Sequence, residues 1–101
     1  MKITKVTSAV VEGYKLWNFV RVETDTGLHG FGEAHPGEGV ATLVERQLEP
    51  LLIGHDPRDV EPLYHEILAR TVGASAGGTL LGAIAGIETA LWDVAGKAQG
   101  V

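Results

Sequence analysis

An alternating stretch followed by a tight turn is the feature that most constrains the fold of this chain. In residues 19–25, apolar and polar side chains alternate, so that Val20 and Val22 share one face of an extended strand. Residues 25–27, Asp-Thr-Gly, have the composition of a turn, because glycine readily adopts the positive φ that many turns need. Residues 28–33 then return as a second strand, and the two strands are predicted to form a β-hairpin.

A third strand is predicted before this hairpin. Residues 2–11 are rich in β-branched side chains but alternate irregularly, which predicts a bulge or a strand covered on both faces. In the returning strand, Gly30 and Gly32 lie on one face, where the missing side chains allow another backbone to approach closely. We therefore predict an antiparallel meander with strands at about 2–11, 19–25 and 28–33.

The rest of the chain has helical periodicity. Apolar residues recur at helical spacing in three stretches, and Pro62 fits the first turn of the second stretch because it needs no donor there. The last stretch is apolar nearly all round its circumference. Helices are predicted at about 39–49, 59–70 and 79–98. The whole pattern predicts one α+β domain over residues 1–101, a three-stranded antiparallel β-meander followed by about three α-helices.

Single residues mark the ends and supports of these helices. Pro50 is predicted to end or kink the first helix, and Thr79 to cap the last one. Asp93 and Lys97 are spaced i, i+4 in the favourable order, which contributes about a few tenths of a kcal/mol. Three strands and two short helices can hardly cover a helix that is apolar all round. We therefore expect the last helix, with Trp92 in a packed face, to need a partner outside these residues.

Composition and charge exclude several classes of function. A net charge of −5 argues against a nucleic-acid-binding surface, which would be basic. The absence of cysteine excludes a disulfide framework and a thiolate metal site. The N-terminus lacks the apolar core of a signal peptide, and the longest nearly apolar run, 80–87, is too short to span a bilayer. We expect a cytoplasmic protein with no nucleic-acid or membrane partner. A (β/α)₈ barrel, which needs roughly 250 residues, does not fit in this chain.

No residue pattern by itself indicates a catalytic site. Residues 30–33, Gly-Phe-Gly-Glu, lack the Gly-Lys-Ser/Thr ending of a phosphate-binding loop and lie within a strand. The histidines do not have the spacing of metal ligands. Gly82 and Gly86 are spaced as in a membrane dimer motif, but the span is too short and close packing in a soluble protein is predicted. Chemistry alone therefore predicts no catalytic residue and no metal ligand.

Three stretches of the chain together resemble one known family. Residues 19–34 (FVRVETDTGLHGFGEA) resemble a hairpin of the mandelate racemase/muconate lactonizing enzyme group of the enolase superfamily. Residues 52–57 (LIGHDP) resemble its LIGxDP turn, and residues 83–98 (AIAGIETALWDVAGKA) resemble its AIxGIDxALWDxxGKA helix. The stretches occur in the family order, and the resemblance covers essentially the whole chain. The short first loop with Trp17 is most similar to acid-sugar dehydratases of the galactonate dehydratase type.

The resemblance implies that this is an N-terminal capping domain, with the chemistry in a C-terminal barrel that is not present in this chain. In the superfamily a Lys or His base abstracts a proton and Mg²⁺ stabilises the enediolate. The family's base and its three acidic metal ligands come from barrel strands, and none maps onto this sequence. The resemblance therefore implies no cofactor and no activity in this chain alone. It implies a Mg²⁺-dependent lyase for the full-length enzyme, a homo-oligomer that removes water from an acid sugar.

The resemblance also implies which residues meet the substrate. Two loops that match residues 13–18 and 33–39 close the barrel mouth in the family, and closure excludes water and strengthens electrostatic stabilisation. The candidate substrate-binding residues are Tyr14, Lys15, Trp17, Glu33 and His35. The two aromatic side chains are expected to wall off the site. Lys15 or His35 is expected to meet a hydroxyl or carboxylate of the substrate.

Two other functions stay open at this point. A non-catalytic binding or scaffold module of the same fold is favoured by the missing barrel and disfavoured by the loop residues and the apolar last helix. A cap of a racemase, epimerase or cycloisomerase would differ mainly in residues of the barrel. The intact mass of the source polypeptide separates these functions, since about 250 further residues are needed for a barrel.

Overall fold

The computed structural model describes residues 1–36, 39–71 and 78–100. Within these ranges, the strands come first: β1 (Ile3–Glu12), β2 (Leu16–Thr24) and β3 (His29–Ala34). They form an antiparallel sheet in the order β1-β2-β3. The helical elements are a first segment of three consecutive pieces, α1 (Val40–Thr42), a π-helical stretch (Leu43–Leu48) and α2 (Glu49–Leu52), then α3 (Val60–Thr71) and α4 (Thr79–Ala98). The α+β class predicted from the sequence is confirmed.

The second strand begins earlier than the sequence predicts. Leu16 pairs with Glu12 and Trp17 with Val11, so Trp17 belongs to the sheet and not to the preceding loop. The prediction began at residue 19 because Asn18, a buried polar residue, interrupts the apolar positions on the core-facing side. The bulge expected in the first strand is present as a register shift between Ile3 and Lys5.

Gly30 and Gly32 allow α4 to lie directly against β3. A Cβ added to Gly30 would stand 2.3 Å from the carbonyl oxygen of Ala90, and one added to Gly32 would stand 2.2 Å from that of Gly86. The close backbone approach predicted from these glycines is therefore present, and its partner is α4. The buried residues of α4 are Leu80, Ala83, Ile84, Gly86, Ile87, Ala90, Leu91, Val94 and Ala95.

The expectation that α4 cannot be covered by this chain is wrong for most of the helix. Because its glycines and alanines let the helix settle onto the sheet, the neighbouring elements bury most of its apolar residues. Among its large apolar side chains, Leu81 is 40% exposed and Trp92 is 53% exposed. Trp92 is therefore not in a packed face. It follows Leu91, which is fully buried, and one residue is about 100° of rotation round a helix.

The ends of two helices also differ from the prediction. Gly78 is the N-cap of α4 with a φ of 65°, and Thr79 is the first helical residue without a side-chain cap. The predicted Thr79 cap is wrong, because the chain enters the helix through a backbone conformation that glycine tolerates. Pro50 does not end the first helical segment, which continues to Leu52. Since proline has no N–H for the carbonyl four residues back, the preceding turn widens into a π-helix.

Carboxylates of the first helical segment cover the β1 edge of the sheet. The backbone N–H of Val6 donates to Glu49 Oε2 at 2.7 Å, and that of Ser8 donates to Glu45 Oε2 at 3.2 Å. At the start of the strand, Ile3 donates to the carbonyl of His55 at 2.8 Å. These contacts satisfy groups that an open edge would offer to another strand.

The opposite edge, formed by β3, is covered by α4. Asp93 Oδ2 accepts a hydrogen bond from the N–H of Phe31 at 2.9 Å, and Lys97 Nζ donates to the carbonyl of His29 at 2.8 Å. Lys97 Nζ lies 3.0 Å from Asp93 Oδ2, so the ion pair predicted from their i, i+4 spacing is present. Both side chains of this ion pair also hydrogen-bond the backbone of an edge strand, which a pair on a free helix would not do.

We expect the chain to lose stability in acid as Asp93 is protonated. The N–H of Phe31 and then the ammonium of Lys97 lower the pKa of the Asp93 carboxyl. Because this pKa is lower in the folded than in the unfolded chain, the stabilisation is present above the unfolded value and is lost as pH falls through the folded value. Urea unfolding at a series of pH values measures it.

Asp93→Asn should flatten this acid loss of stability. Glu66→Gln is the matched control, because Glu66 pairs with Arg70 on α3 at 2.6 Å and both side chains are largely exposed. The control should keep the acid slope of the wild type. An unchanged slope in Asp93→Asn would contradict the role assigned to its carboxylate.

Candidate functional site

An open pocket of about 400 Å³ lies where the ends of β2 and β3 meet α4. It is lined by Trp17, Glu33, Ala34, His35, Pro36, Gly82 and Ala85. The pocket brings together three of the five residues predicted from the family resemblance, which are Trp17, Glu33 and His35. Residues 37–38 of the predicted second loop lie outside the described residues.

Small residues of α4 form one side of this pocket. A Cβ added to Gly82 would stand 2.3 Å from the Cβ of His35, so the chain leaving β3 lies directly on the helix. The N–H of His35 donates to the carbonyl of Gly82 at 3.4 Å. The sequence predicted close packing at Gly82. It did not predict that Gly82 or Ala85 would line a site. The signal was the run of small residues along one helix, which by itself carries no chemistry.

Tyr14 and Lys15 form a cluster with Trp17 beside the pocket. Lys15 Nζ lies 4.4 Å from the ring centroid of Trp17 and 5.3 Å from that of Tyr14. The two rings are perpendicular, with centroids 5.9 Å apart. A cation over an aromatic face at an exposed site is stabilised by ~0.5–1 kcal/mol. The pocket lining includes Trp17 but neither Tyr14 nor Lys15. These two predicted residues contact Trp17 and do not line the pocket themselves.

The lining suits a small ligand with many hydroxyl groups. The indole of Trp17 is a hydrogen-bond donor, the carboxylate of Glu33 is an acceptor, and the imidazole of His35 can do both. Glu33 lies opposite Phe19 in the sheet, where its side chain is exposed. Ala34 and Ala85 add apolar surface between these polar groups. An apolar wall with a few polar groups is the usual composition of a small-molecule site.

The described residues do not fit a magnesium ion. Among residues 1–36, 39–71 and 78–100, no group of three or more His, Asp or Glu side chains is placed to hold a metal. Magnesium requires near-octahedral oxygen ligands, whereas Glu33 is the carboxylate in the pocket lining. In the same part of the chain, every helix is too short or too polar to cross a bilayer.

Among curated proteins, this chain is similar to longer sugar-acid dehydratases. D-xylonate dehydratase of Haloferax volcanii is 43% identical over 97 residues, which are 95% of this chain and 23% of the relative. D-galactonate dehydratase of Verminephrobacter eiseniae is 43% identical over 104 residues, which are 100% of this chain and 26% of the relative. The chain thus spans about a quarter of the length of these relatives.

Comparison with solved structures and with family models identifies the family of this chain. The mandelate racemase/muconate lactonizing protein from Paracoccus denitrificans, complexed with magnesium, superposes with a TM-score of 0.89. The two are 33% identical, and the match covers 98% of this chain and 28% of that one. Residues 5–101 match the family described as mandelate racemase / muconate lactonizing enzyme, N-terminal domain. Because this match covers nearly the whole sequence, the chain belongs to the mandelate racemase / muconate lactonizing enzyme family and represents its N-terminal domain.

Proposed function

We propose that this chain is the capping and substrate-specificity domain of an acid-sugar dehydratase of the enolase superfamily. It works joined to a C-terminal barrel that supplies the catalytic base and the Mg²⁺ ligands, since the described residues of this chain do not fit the metal. The observation that carries the proposal is the pocket that gathers Trp17, Glu33 and His35 in this fold. The 43% identity to dehydratases of D-xylonate and D-galactonate supports the substrate class.

Each of the five residues predicted from the family resemblance has a part in substrate binding. Trp17 is a wall that keeps water from the reacting carbon when the cap closes on the barrel, which strengthens electrostatic stabilisation there. Glu33 and His35 hydrogen-bond hydroxyl groups of the sugar acid. Lys15, held against Trp17, places a positive charge near the mouth of the pocket, where it favours an anionic substrate. The ring of Tyr14 also lies near the ammonium of Lys15.

The reaction of the whole enzyme is loss of water from a hydroxy acid. The base removes the proton α to the carboxylate, and the hydroxyl on the next carbon leaves with a proton as water. The resulting enol becomes a 2-keto-3-deoxy acid. We place this enzyme in the cytoplasm as a homo-oligomer. The exposed Leu81 and Trp92 of α4 are available for contact with the barrel or with a second copy.

A chimera tests the proposal. This chain replaces the aligned N-terminal segment of the Verminephrobacter eiseniae D-galactonate dehydratase, and formation of the 2-keto-3-deoxy acid is measured with D-galactonate and D-xylonate in the presence of Mg²⁺. The parent enzyme and its barrel without any cap are the controls. We expect the chimera to dehydrate at least one of the two acids and the barrel alone to dehydrate neither. A soluble, folded chimera that acts on neither acid would contradict the proposal.

A further inference from the structure

Asn18 is a polar residue placed among apolar side chains on the core face of β2. Its relative exposure is 1%, while Val20 and Val22, which follow it on the same face, are fully buried. A buried amide destabilises a fold unless hydrogen bonds satisfy it. One group that satisfies the Asn18 amide, the carbonyl of His35, lies at the pocket.

Asn18 extends the β2–β3 ladder by one step beyond its backbone end. The last backbone pair of the ladder is Asn18 with Ala34. The next residue, His35, leaves the sheet, and its carbonyl accepts a hydrogen bond from Asn18 Nδ2 at 3.1 Å. A side-chain amide therefore continues the strand pairing where the backbone no longer can.

The backbone of His35 is held from two directions as a result. Asn18 binds its carbonyl, and its N–H donates to the carbonyl of Gly82 on α4 at 3.4 Å. The Cβ of His35 occupies the space that a side chain at Gly82 would need, because a Cβ added to Gly82 would lie 2.3 Å from the Cβ of His35. Both bonds hold the backbone of His35, which lines the pocket together with Pro36 and Gly82.

We infer that Asn18 is a positioning residue that sets the His35–Pro36 wall against the Trp17 wall and thereby contributes to substrate affinity; this rests on the proposed function. Trp17 and Asn18 are consecutive in β2, so their side chains point to opposite faces of the sheet. One dipeptide thus supplies one wall of the pocket and the hydrogen bond that fixes the other. A sugar acid whose hydroxyls reach both walls depends on their separation.

The first measurement is kinetic and uses the chimera with D-galactonate or D-xylonate. Asn18→Leu keeps the volume of the side chain and removes the donor, and we expect it to raise KM about fivefold with kcat nearly unchanged, since the wall contacts the ground and transition states alike. Val20→Ala is the control, because Val20 lies on the same buried face and has no bond to His35. It should lower the melting temperature without raising KM.

The second measurement does not depend on activity. In the 101-residue chain, exchange of the His35 amide should become about tenfold faster in Asn18→Leu, relative to the core amide of Leu91, because local opening governs exchange. Asn18→Ala, which also removes the donor and adds no charge, should behave alike and serves if Asn18→Leu does not fold. Unchanged His35 exchange in a folded variant would overturn the inference.

The two proposals fail in distinguishable ways. An inactive wild-type chimera contradicts the proposed dehydratase cap, and amide exchange then still decides whether Asn18 positions His35. An active chimera whose KM is the same in wild type and Asn18→Leu overturns the role of Asn18 in substrate affinity and leaves the dehydratase proposal intact. Equal increases of KM in Asn18→Leu and Val20→Ala would also overturn it, since both would then report general loosening.

Discussion

Gly32→Ala is expected to be among the most damaging substitutions in this chain. A Cβ at this position would lie 2.2 Å from the carbonyl oxygen of Gly86 and 2.8 Å from the backbone nitrogen of Ala90. Both obstacles are backbone atoms of α4, so no side-chain rotation relieves the clash and the helix must move away from β3. Overpacking usually costs ~1–3 kcal/mol and sometimes more, and we expect a loss of at least about 3 kcal/mol here.

Gly13→Ala is the matched control, because it makes the same chemical change in the same half of the chain. A Cβ on Gly13 would meet its nearest neighbour, Trp17 Nε1, at 3.6 Å, which is ordinary contact. The free energy of unfolding, measured by urea denaturation with circular dichroism, should fall in Gly32→Ala and change little in the control. If Gly32→Ala is insoluble while the control is soluble, the prediction is also met. A loss below about 1 kcal/mol would contradict the close helix–strand contact.

The two strand glycines show how far the sequence predicts this fold. Their position on one face of a strand predicts a close backbone approach, because nothing else explains two missing side chains side by side. The partner could not be predicted, since it lies far along the chain and helix-to-strand contacts leave no local pattern. The same limit explains why the exposure of Trp92 was not predicted. When a helix is apolar all round, its sequence does not indicate which side the sheet covers.

The candidate site, like the fold, was predicted only in part from the sequence. The family resemblance pointed to Trp17, Glu33 and His35, which the structure gathers at one pocket. Periodicity placed Trp17 in a loop, because Asn18 interrupts the apolar alternation at the start of β2. Asn18, which caused the start of β2 to be predicted too late, is also the residue whose side chain hydrogen-bonds the carbonyl of His35. A polar residue on a core face is therefore a sequence signal of a specific contact, although its partner has to come from the structure.

Trp17→Ala is expected to lower kcat/KM of the chimera for its sugar acid by about ten- to a hundredfold, or ~1–3 kcal/mol of transition-state binding. The substitution removes one wall of the pocket and admits water to it. It also removes the ring on which Lys15 rests at 4.4 Å, so the ammonium loses its fixed place. Affinity for Mg²⁺ should stay the same, because in the proposed enzyme the metal ligands belong to the barrel.

Trp92→Ala is the control variant, because it truncates the same type of side chain outside the pocket. Since Trp92 is 53% exposed, its truncation should cost clearly less than the ~3–5 kcal/mol typical of a buried aromatic residue. If Trp92 packs on the barrel, the melting temperature of the chimera falls, but kcat/KM of the folded enzyme should stay close to that of the wild type. Trp17→Ala should show the reverse, a kinetic loss larger than its loss of stability. A folded Trp17→Ala chimera with wild-type kcat/KM would remove Trp17 from the substrate site.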